Sequence, residues 1–487
     1  MTTFPFALPR VFLVVLLLGG RAVGFAAADT HEDEIKALRA QINELDQKLR
    51  VLERKQEIKD EEAAAAARLA AKVTVNDRGF TLASNDGANL LRLRGLVQAD
   101  SRWFFGDDPG ILNNDAFVLR RGRIILEGQL TGNTSFLVSP EFAGSSPSIV
   151  DAYLNYAVKP FLQFRLGRFR QPVGLEQLQS DSHAFFTERS LVSQMLPNRD
   201  VGAQVGGDLS NGRVNYAVGI FDGVPDGSNN GTIVNGDADR RKDLAARLWL
   251  QPFRNDNDSP FQGLGFGLGL TYGRQKPASG LATYRTDGQQ TTFSYRTQSG
   301  APASLANYTT VVDGDVWRVS PQAYWYHGPL GVMAEYARSA VNVRPNFPAT
   351  LAGSPKLELK NSAWQLAAGY VLTGENASYT GVQPKRGFNL DDRTWGAFEV
   401  VGRVSALDID NQAFVSPGAG FAPVADPAGN PSEYTTFAIG LNWYPSKTVR
   451  ASLDYYRTRF ENNVAVPSRL VIRHDENAVL TRVQVSF

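Results

Sequence analysis

The chain has 487 residues, a formal net charge of +1 at neutral pH, 45 glycines, 10% aromatic residues, 3 methionines and no cysteine. The missing cysteines exclude a disulfide-stapled scaffold, and abundant glycine and aromatics suit strands and turns better than a helical core. Bulk charge selects no partner. Arginine outnumbers lysine by about three to one, which favours planar, permanently charged donors where anions are held.

The amino-terminal segment carries Arg10, an apolar run from Val11 to Leu18, and small residues ending at Ala28. This predicts a secretory signal peptide over residues 1–28, cleaved before Asp29. The run is far short of the ~20 residues a spanning helix needs, and no later segment approaches that length. From His31 to Asp60, Ile35, Leu38, Ile42, Leu45, Leu49 and Leu52 recur at heptad spacing. Three such heptads predict a short coiled coil, two-stranded in isolation or set in number by the attached domain. A single helix folded against its own protein is the alternative. Alanine-rich Glu61–Ala71 extends the helix to a break near Asn76–Gly79, so residues 29–75 are expected to form a periplasmic coiled-coil helix and linker.

From about Leu90 the pattern switches to period two, in runs of roughly ten residues separated by Gly, Asn, Asp and Pro. Sixteen strands are predicted, centred on Arg94, Ile124, Leu137, Tyr153, Phe164, Gln204, Ala217, Arg247, Gly267, Gln322, Glu335, Ala367, Val400, Ile439, Asp454 and Val483. Short connections (Thr131-Gly-Asn, Lys159-Pro, Ser210-Asn-Gly, His327-Gly-Pro, Pro445-Ser-Lys) alternate with longer ones. Glu375–Asp392 is long where a turn is expected. The two faces differ in kind: Arg318, Ser320, Gln322 and Tyr324 against Trp317, Val319, Ala323 and Trp325. Lipid outside and water inside explain that split better than a β-sandwich core. The last run, Leu480–Phe487, alternates to an aromatic carboxy terminus, as expected of a strand that closes a sheet on itself. Residues 85–487 are therefore predicted to be an all-β, 16-stranded antiparallel transmembrane β-barrel in an outer membrane.

Arginines recur on the expected lumen face: Arg92, Arg94, Arg165, Arg247, Arg318, Arg403, Arg450 and Arg482. In Ala116–Leu130, which holds Arg120, Arg121 and Arg123, alternation puts Arg121 and Arg123 on one face with Glu127 and Gln129. The bland alternative is that these arginines pair with Glu127, Asp151, Glu399 and Asp454 and stiffen the wall. The long segment Gln171–Arg199 contains His183, Phe185, Phe186, Glu188, Arg189 and Asn198. Its aromatic bulk predicts a loop folded into the lumen, where Arg189 and Arg199 would act on a passing anion. The bare face of Gly263, Gly265, Gly267 and Gly269 either leaves room for that loop or bends the sheet. Residues Asp222–Asp239 lack the ligand spacing of a calcium loop. His31, His183, His327 and His474 form no metal or triad spacing, so neither catalysis nor a cofactor is expected.

Several ordered motifs, Leu119-Arg-Arg-Gly-Arg, Asp151-Ala-Tyr-Leu-Asn-Tyr, Gly167-Arg-Phe-Arg-Gln-Pro-Val-Gly-Leu-Glu, Thr187-Glu-Arg-Ser-Leu, Asn198-Arg-Asp-Val-Gly-Ala-Gln and Leu372-Thr-Gly-Glu-Asn, resemble the phosphate-selective porin O/P family. The resemblance covers nearly all of the chain after residue 85. It implies a trimeric porin with an inward third loop and an arginine-lined passage for small anions, embedded in outer-membrane lipid and lipopolysaccharide. The chain departs from the family's namesakes in having few barrel lysines (Lys159, Lys242, Lys276, Lys356, Lys360, Lys385, Lys447), so phosphate is one candidate among related oxyanions. The alternatives are a non-selective general porin and a structural anchor tethered through the coiled coil.

Overall fold

The computed structural model describes residues 29–77, 79–106, 115–229, 240–276, 281–346, 354–418, 420–461 and 475–487. The expected signal segment lies outside them, as does His474. The chain divides into two units, one ending at Ala70 and one running from Ala71 to Phe487.

The first unit holds one helix, α1, Asp29–Leu69. Its heptad residues Ile35, Leu38, Ile42, Leu45, Leu49 and Leu52 form an exposed apolar seam. Ion pairs one turn apart, Lys48–Glu44 and Arg50–Asp46, flank it. The helix stops at Leu69, short of the expected break near Asn76–Gly79. Val73, Thr74 and Val75 favour extended backbone, and they form a hairpin, Lys72–Asn76 with Gly79–Ala83.

The second unit is built on sixteen strands, each at a predicted centre: β1 Leu90–Phe105, β2 Ala116–Leu130, β3 Thr134–Glu141, β4 Ser148–Lys159, β5 Leu162–Arg170, β6 Arg199–Leu209, β7 Val214–Phe221 and β8 Asp243–Leu250. The second half comprises β9 Gly263–Gln275, β10 Thr309–His327, β11 Leu330–Asn346, β12 Leu357–Val371, β13 Ala397–Asp408, β14 Glu433–Tyr444, β15 Val449–Glu461 and β16 Glu476–Ser486. Each pairs antiparallel with its sequence neighbours, and β16 pairs with β1, so the sheet closes into a barrel. The Phe487 N–H donates to Gly95 O, the Gly95 N–H donates to Phe487 O, and the Phe487 ring meets Phe80 edge-on at 6.0 Å.

Alternation holds along the wall. On β10, Arg318, Ser320 and Gln322 are buried inside, while Pro321 is exposed outside. Exposed Leu, Val, Phe, Trp and Tyr side chains cover the outer face. At the end bearing the short turns they gather into an aromatic girdle, with Phe398 on Trp443 and Phe261 on Trp325. The long connection between β12 and β13 departs from the short-turn pattern and is folded: it carries a small hairpin, Phe388–Asn389 with Thr394–Trp395. Strand order is unaffected.

One register break alters which residues face inward. Gln98 of β1 pairs with Arg121, but the next residue, Ala99, pairs with Leu119. Arg120 is thus the extra residue of a β-bulge. Simple alternation places Arg120 outside; the bulge turns it into the lumen beside Arg121.

Candidate functional site

The connection between β5 and β6 enters the barrel. Nearly all of residues 171–200 are buried, including Val173, Leu175, Leu191, Val192, Met195 and Leu196. It contains one helical turn, α2, Leu175–Leu178, and a 3-10 turn, Leu191–Gln194. This inward loop is seated on the β8–β15 side. A Cβ on Gly269 would collide with the Val173 carbonyl, and one on Gly267 would press on Trp249. The bare face of β9 therefore makes room for the loop and for a lumen tryptophan. Gln322 Nε2 donates to Val173 O at 2.7 Å. The Glu335 carboxylate accepts from Leu175 N at 2.7 Å and Glu176 N at 3.0 Å. Arg450 donates to Ala184 O and Phe185 O, and Asp454 accepts from Thr187 N.

On the other side the loop meets arginine. Asp181 lies within 4.0 Å of five guanidinia: Arg189 at 2.6 Å, Arg123 at 2.7 Å, Arg170 at 2.8 Å, Arg121 at 3.4 Å and Arg199 at 4.0 Å. Glu188 holds Arg120 through two hydrogen bonds, 2.6 and 3.0 Å, with Arg102 at 3.5 Å and Arg482 at 3.6 Å. Glu141 shares Arg123, Asp151 shares Arg199 and Asp100 shares Arg482. Eight guanidinia thus surround five carboxylates. Burial pushes the Asp181 carboxyl up, but Arg121, Arg170, Arg189 and Arg123 together hold it well below the usual carboxylate range. Glu188 behaves alike: burial raises it and Arg120, with Arg482 and Arg121, outweighs that. Both carboxylates stay ionised, and eight guanidinia against five carboxylates still leave the cluster an excess of positive charge.

The segment Ser180–His183 lies between the linings of two cavities: Asp181 pairs with Arg121 and Arg189 of one, and Ser182 and His183 line the other. The one towards the long loops has a volume of about 330 Å³ and is lined by Arg120, Arg121, Arg189, Arg285, Glu188 and Ser190 among others. The one towards the turns, about 540 Å³, includes Arg92, Arg94, His183, Lys447 and Phe487. Gln98 and Gln484 clamp the dividing segment, donating to Asp181 O at 3.0 Å and Ser182 O at 3.1 Å. Two further connections narrow the lumen. From the loop end, the hairpin Thr283–Arg285 with Thr291–Ser294 brings buried Asp287 to Arg403 at 3.1 Å. From the turn end, Tyr379 Oη donates to Leu175 O at 2.6 Å and Gln179 Nε2 donates to Tyr379 O at 2.8 Å.

The expected site arginines fall into three groups. Arg121, Arg123, Arg189 and Arg199 join the Asp181 cluster, together with Arg120 and Arg170. Arg92 and Arg94 face the turn-end chamber, both bonded to Glu127. The rest are dispersed around the wall. Arg165 lies over the Tyr153 ring at 4.6 Å. Arg247 stacks on Trp249 at 4.6 Å and bonds Gln322. Arg318, 3% exposed, is held by Asp226 and Asp243, and Arg403, equally buried, by Glu176 and Asp287. Of the four carboxylates expected as wall partners, Glu127 and Asp151 take arginines. Glu399 instead accepts from Asn442 and Tyr444, and Asp454 from the loop backbone.

Asp181, Arg170 and Arg102 were not expected, and Arg120 was expected outside. For Arg120 a signal existed: Phe117 and Leu119 are outward at odd positions and Ile124 and Leu126 at even ones, so the parity must flip between them. Asp181 carries no such periodic signal, since it sits on a loop.

No curated protein matches the chain in sequence. Among solved structures, the outer membrane channel DcaP of Acinetobacter baumannii superposes with a TM-score of 0.51 at 13% identity, covering 82% of this chain and 98% of that one. Outer-membrane expressed OmpT of Vibrio cholerae gives 0.49 at 11% identity, over 82% and 98%. OprB of Pseudomonas putida gives 0.48 at 11% identity, over 82% and 95%. The first of these likenesses shows the barrel fold. The model of the phosphate-selective porin O and P family matches residues 91–487, from the first barrel strand to the carboxy terminus, and the chain belongs to that family of outer-membrane channels.

Proposed function

We propose that the protein is a passive diffusion channel for small anions, phosphate or related oxyanions among them. The observation that carries this reading is the surplus of guanidinia over carboxylates where the inward loop meets β1, β2, β5, β6 and β16. An anion entering from the loop end meets Arg120, Arg121, Arg189 and Arg285, and one leaving at the turn end meets Arg92 and Arg94. Among the described residues each of these except Arg285 shares a carboxylate, so the path attracts without trapping, as conduction requires. Arg247, Arg318 and Arg403 brace the opposite wall.

A second reading, a general porin whose arginines are neutralised, draws support from those same pairs and from Glu176, Asp287 and Glu335 on the far side. Reversal potential in a planar bilayer under a salt gradient separates the two. Anion preference is expected, with phosphate reducing chloride current; cation preference sinks the proposal. Arg189→Ala should lower the preference.

A homotrimer is part of this reading, with α1 in the periplasm offering its exposed heptad seam to two other copies. Crosslinking should give three chains, and deletion of residues 32–61 should leave that assembly intact, because the barrel walls supply the larger contact.

A further inference from the structure

We propose that the outer face of β12–β15 carries a binding site for the phosphorylated glycolipid of the outer leaflet, with an acyl chain in an apolar groove and a phosphate on Arg457 and Arg459. The inference rests on outer-membrane placement and not on the anion preference of the pore.

The groove, about 630 Å³, is walled by Leu366, Phe437, Ile439 and Tyr455 and floored by Ala368 and Gly402. A Cβ at Gly402 would meet nothing within 4 Å, so the glycine leaves an open channel one side chain wide in an otherwise bulky wall. At its loop end stand Arg457 and Arg459, 46% and 56% exposed on the membrane side of β15. Outward arginines are expensive in mid-bilayer, at ~2–4 kcal/mol each, and cost ~0–1 kcal/mol near the interface. Their height fits the interface. Arg457 pairs with Phe437 and Arg459 with Thr435, six and eight residues along β14 from Trp443 in the turn-end girdle. At ~3.4 Å per residue and ~40° of tilt, the two backbones lie roughly 16 and 21 Å above that girdle in a ~25 Å apolar band, so Arg459 stands about 4 Å below its far edge and Arg457 about 9 Å below it, a depth its long side chain spans by reaching up to the interface.

Charge complementarity selects the occupant. Asp475 takes Arg457 at 2.9 Å and reaches Arg459 only at 3.9 Å, so Arg459 is the less engaged guanidinium. Arg459 lies 5.5 Å over the Phe437 ring, which aims it along the groove. Two residue pairs nearer the loops, Glu433 faces both Glu461 and Asp408. These carboxylates repel a phosphate from above and confine it to the arginines. An occupant that fits both parts is an anion joined to an acyl chain, supplied by the leaflet at this end. A phosphorylated acyl glycolipid has both, and short turns face the periplasm while long loops face outward.

The test is native mass spectrometry of the full chain in detergent, titrated with hexa-acylated bisphosphorylated lipid A. One molecule should bind per chain. Arg457→Ala/Arg459→Ala and, separately, Gly402→Leu should each weaken binding about tenfold or more without changing pore conductance. Dephosphorylated lipid A should bind comparably weakly. Wild-type affinity in either variant, an equal loss on Arg274→Ala at a distant outward arginine, or equal competition by phosphatidylglycerol would each overturn the site.

Discussion

The wall formed by β1, β2, β5, β6 and β16 meets the inward loop through a cluster of ions, whereas the wall formed by β8–β15 meets it chiefly through packing and hydrogen bonds to backbone, with the Arg403–Glu176 pair as an added ionic contact. On the first side, Asp181 and Glu188 project from the loop into guanidinia. On the second, Val173 fills the space above Gly269 and Glu335 caps two loop N–H groups. Packing is short-range and leaves no water between the surfaces, while ion pairs between long side chains tolerate a gap. The chambers accordingly lie against the arginine wall. The loop is fixed by the wall it buries, and the proposed anion path runs along the wall it faces.

This contrast can be broken from either side. The largest effect is expected from Glu335→Leu, which leaves Leu175 N–H and Glu176 N–H buried without an acceptor at ~1–3 kcal/mol each. Thermal unfolding should move down, and single-channel conductance should rise as the loop detaches; an unchanged conductance would place the anchor elsewhere. Asp181→Asn attacks the other wall. It removes the charge shared by five arginines at ~3–5 kcal/mol, and reversal potential should shift further towards anions. Gly269→Val comes next, at ~1–3 kcal/mol for overpacking against Val173, with conductance again rising.

Why the packed wall was legible and the ionic one only partly so follows from periodicity. Sixteen strand centres could be read because lipid and water impose opposite chemistry on alternate residues, and the loop announced itself by Phe185 and Phe186. The bare face of β9 was also visible, as one of two readings, and Val173 decides between them. Arg120 was misplaced because a single bulge inverts parity for the rest of β2. Asp181, the centre of the ionic cluster, was invisible: a loop carboxylate among polar neighbours has no spacing to mark it, and its importance arises only when five arginines from β2, β5, β6 and the loop converge.

The smallest effect sharpens the boundary between the chambers. His183 sits on the dividing segment beside Gly381 and the turn-end chamber. Burial, with Arg450 and Arg94 nearby, pushes its imidazole down to about 4 from an ordinary 6.5. A depressed base contributes stability that is complete above pH 6.5 and is lost as pH falls towards 4, because the unfolded chain takes up the proton first. The wild-type protein should therefore lose thermal stability relative to His183→Gln across that window. Parallel melting curves for the two proteins between pH 7 and 4 would show that the segment is solvated, and that the arginine wall alone divides the lumen.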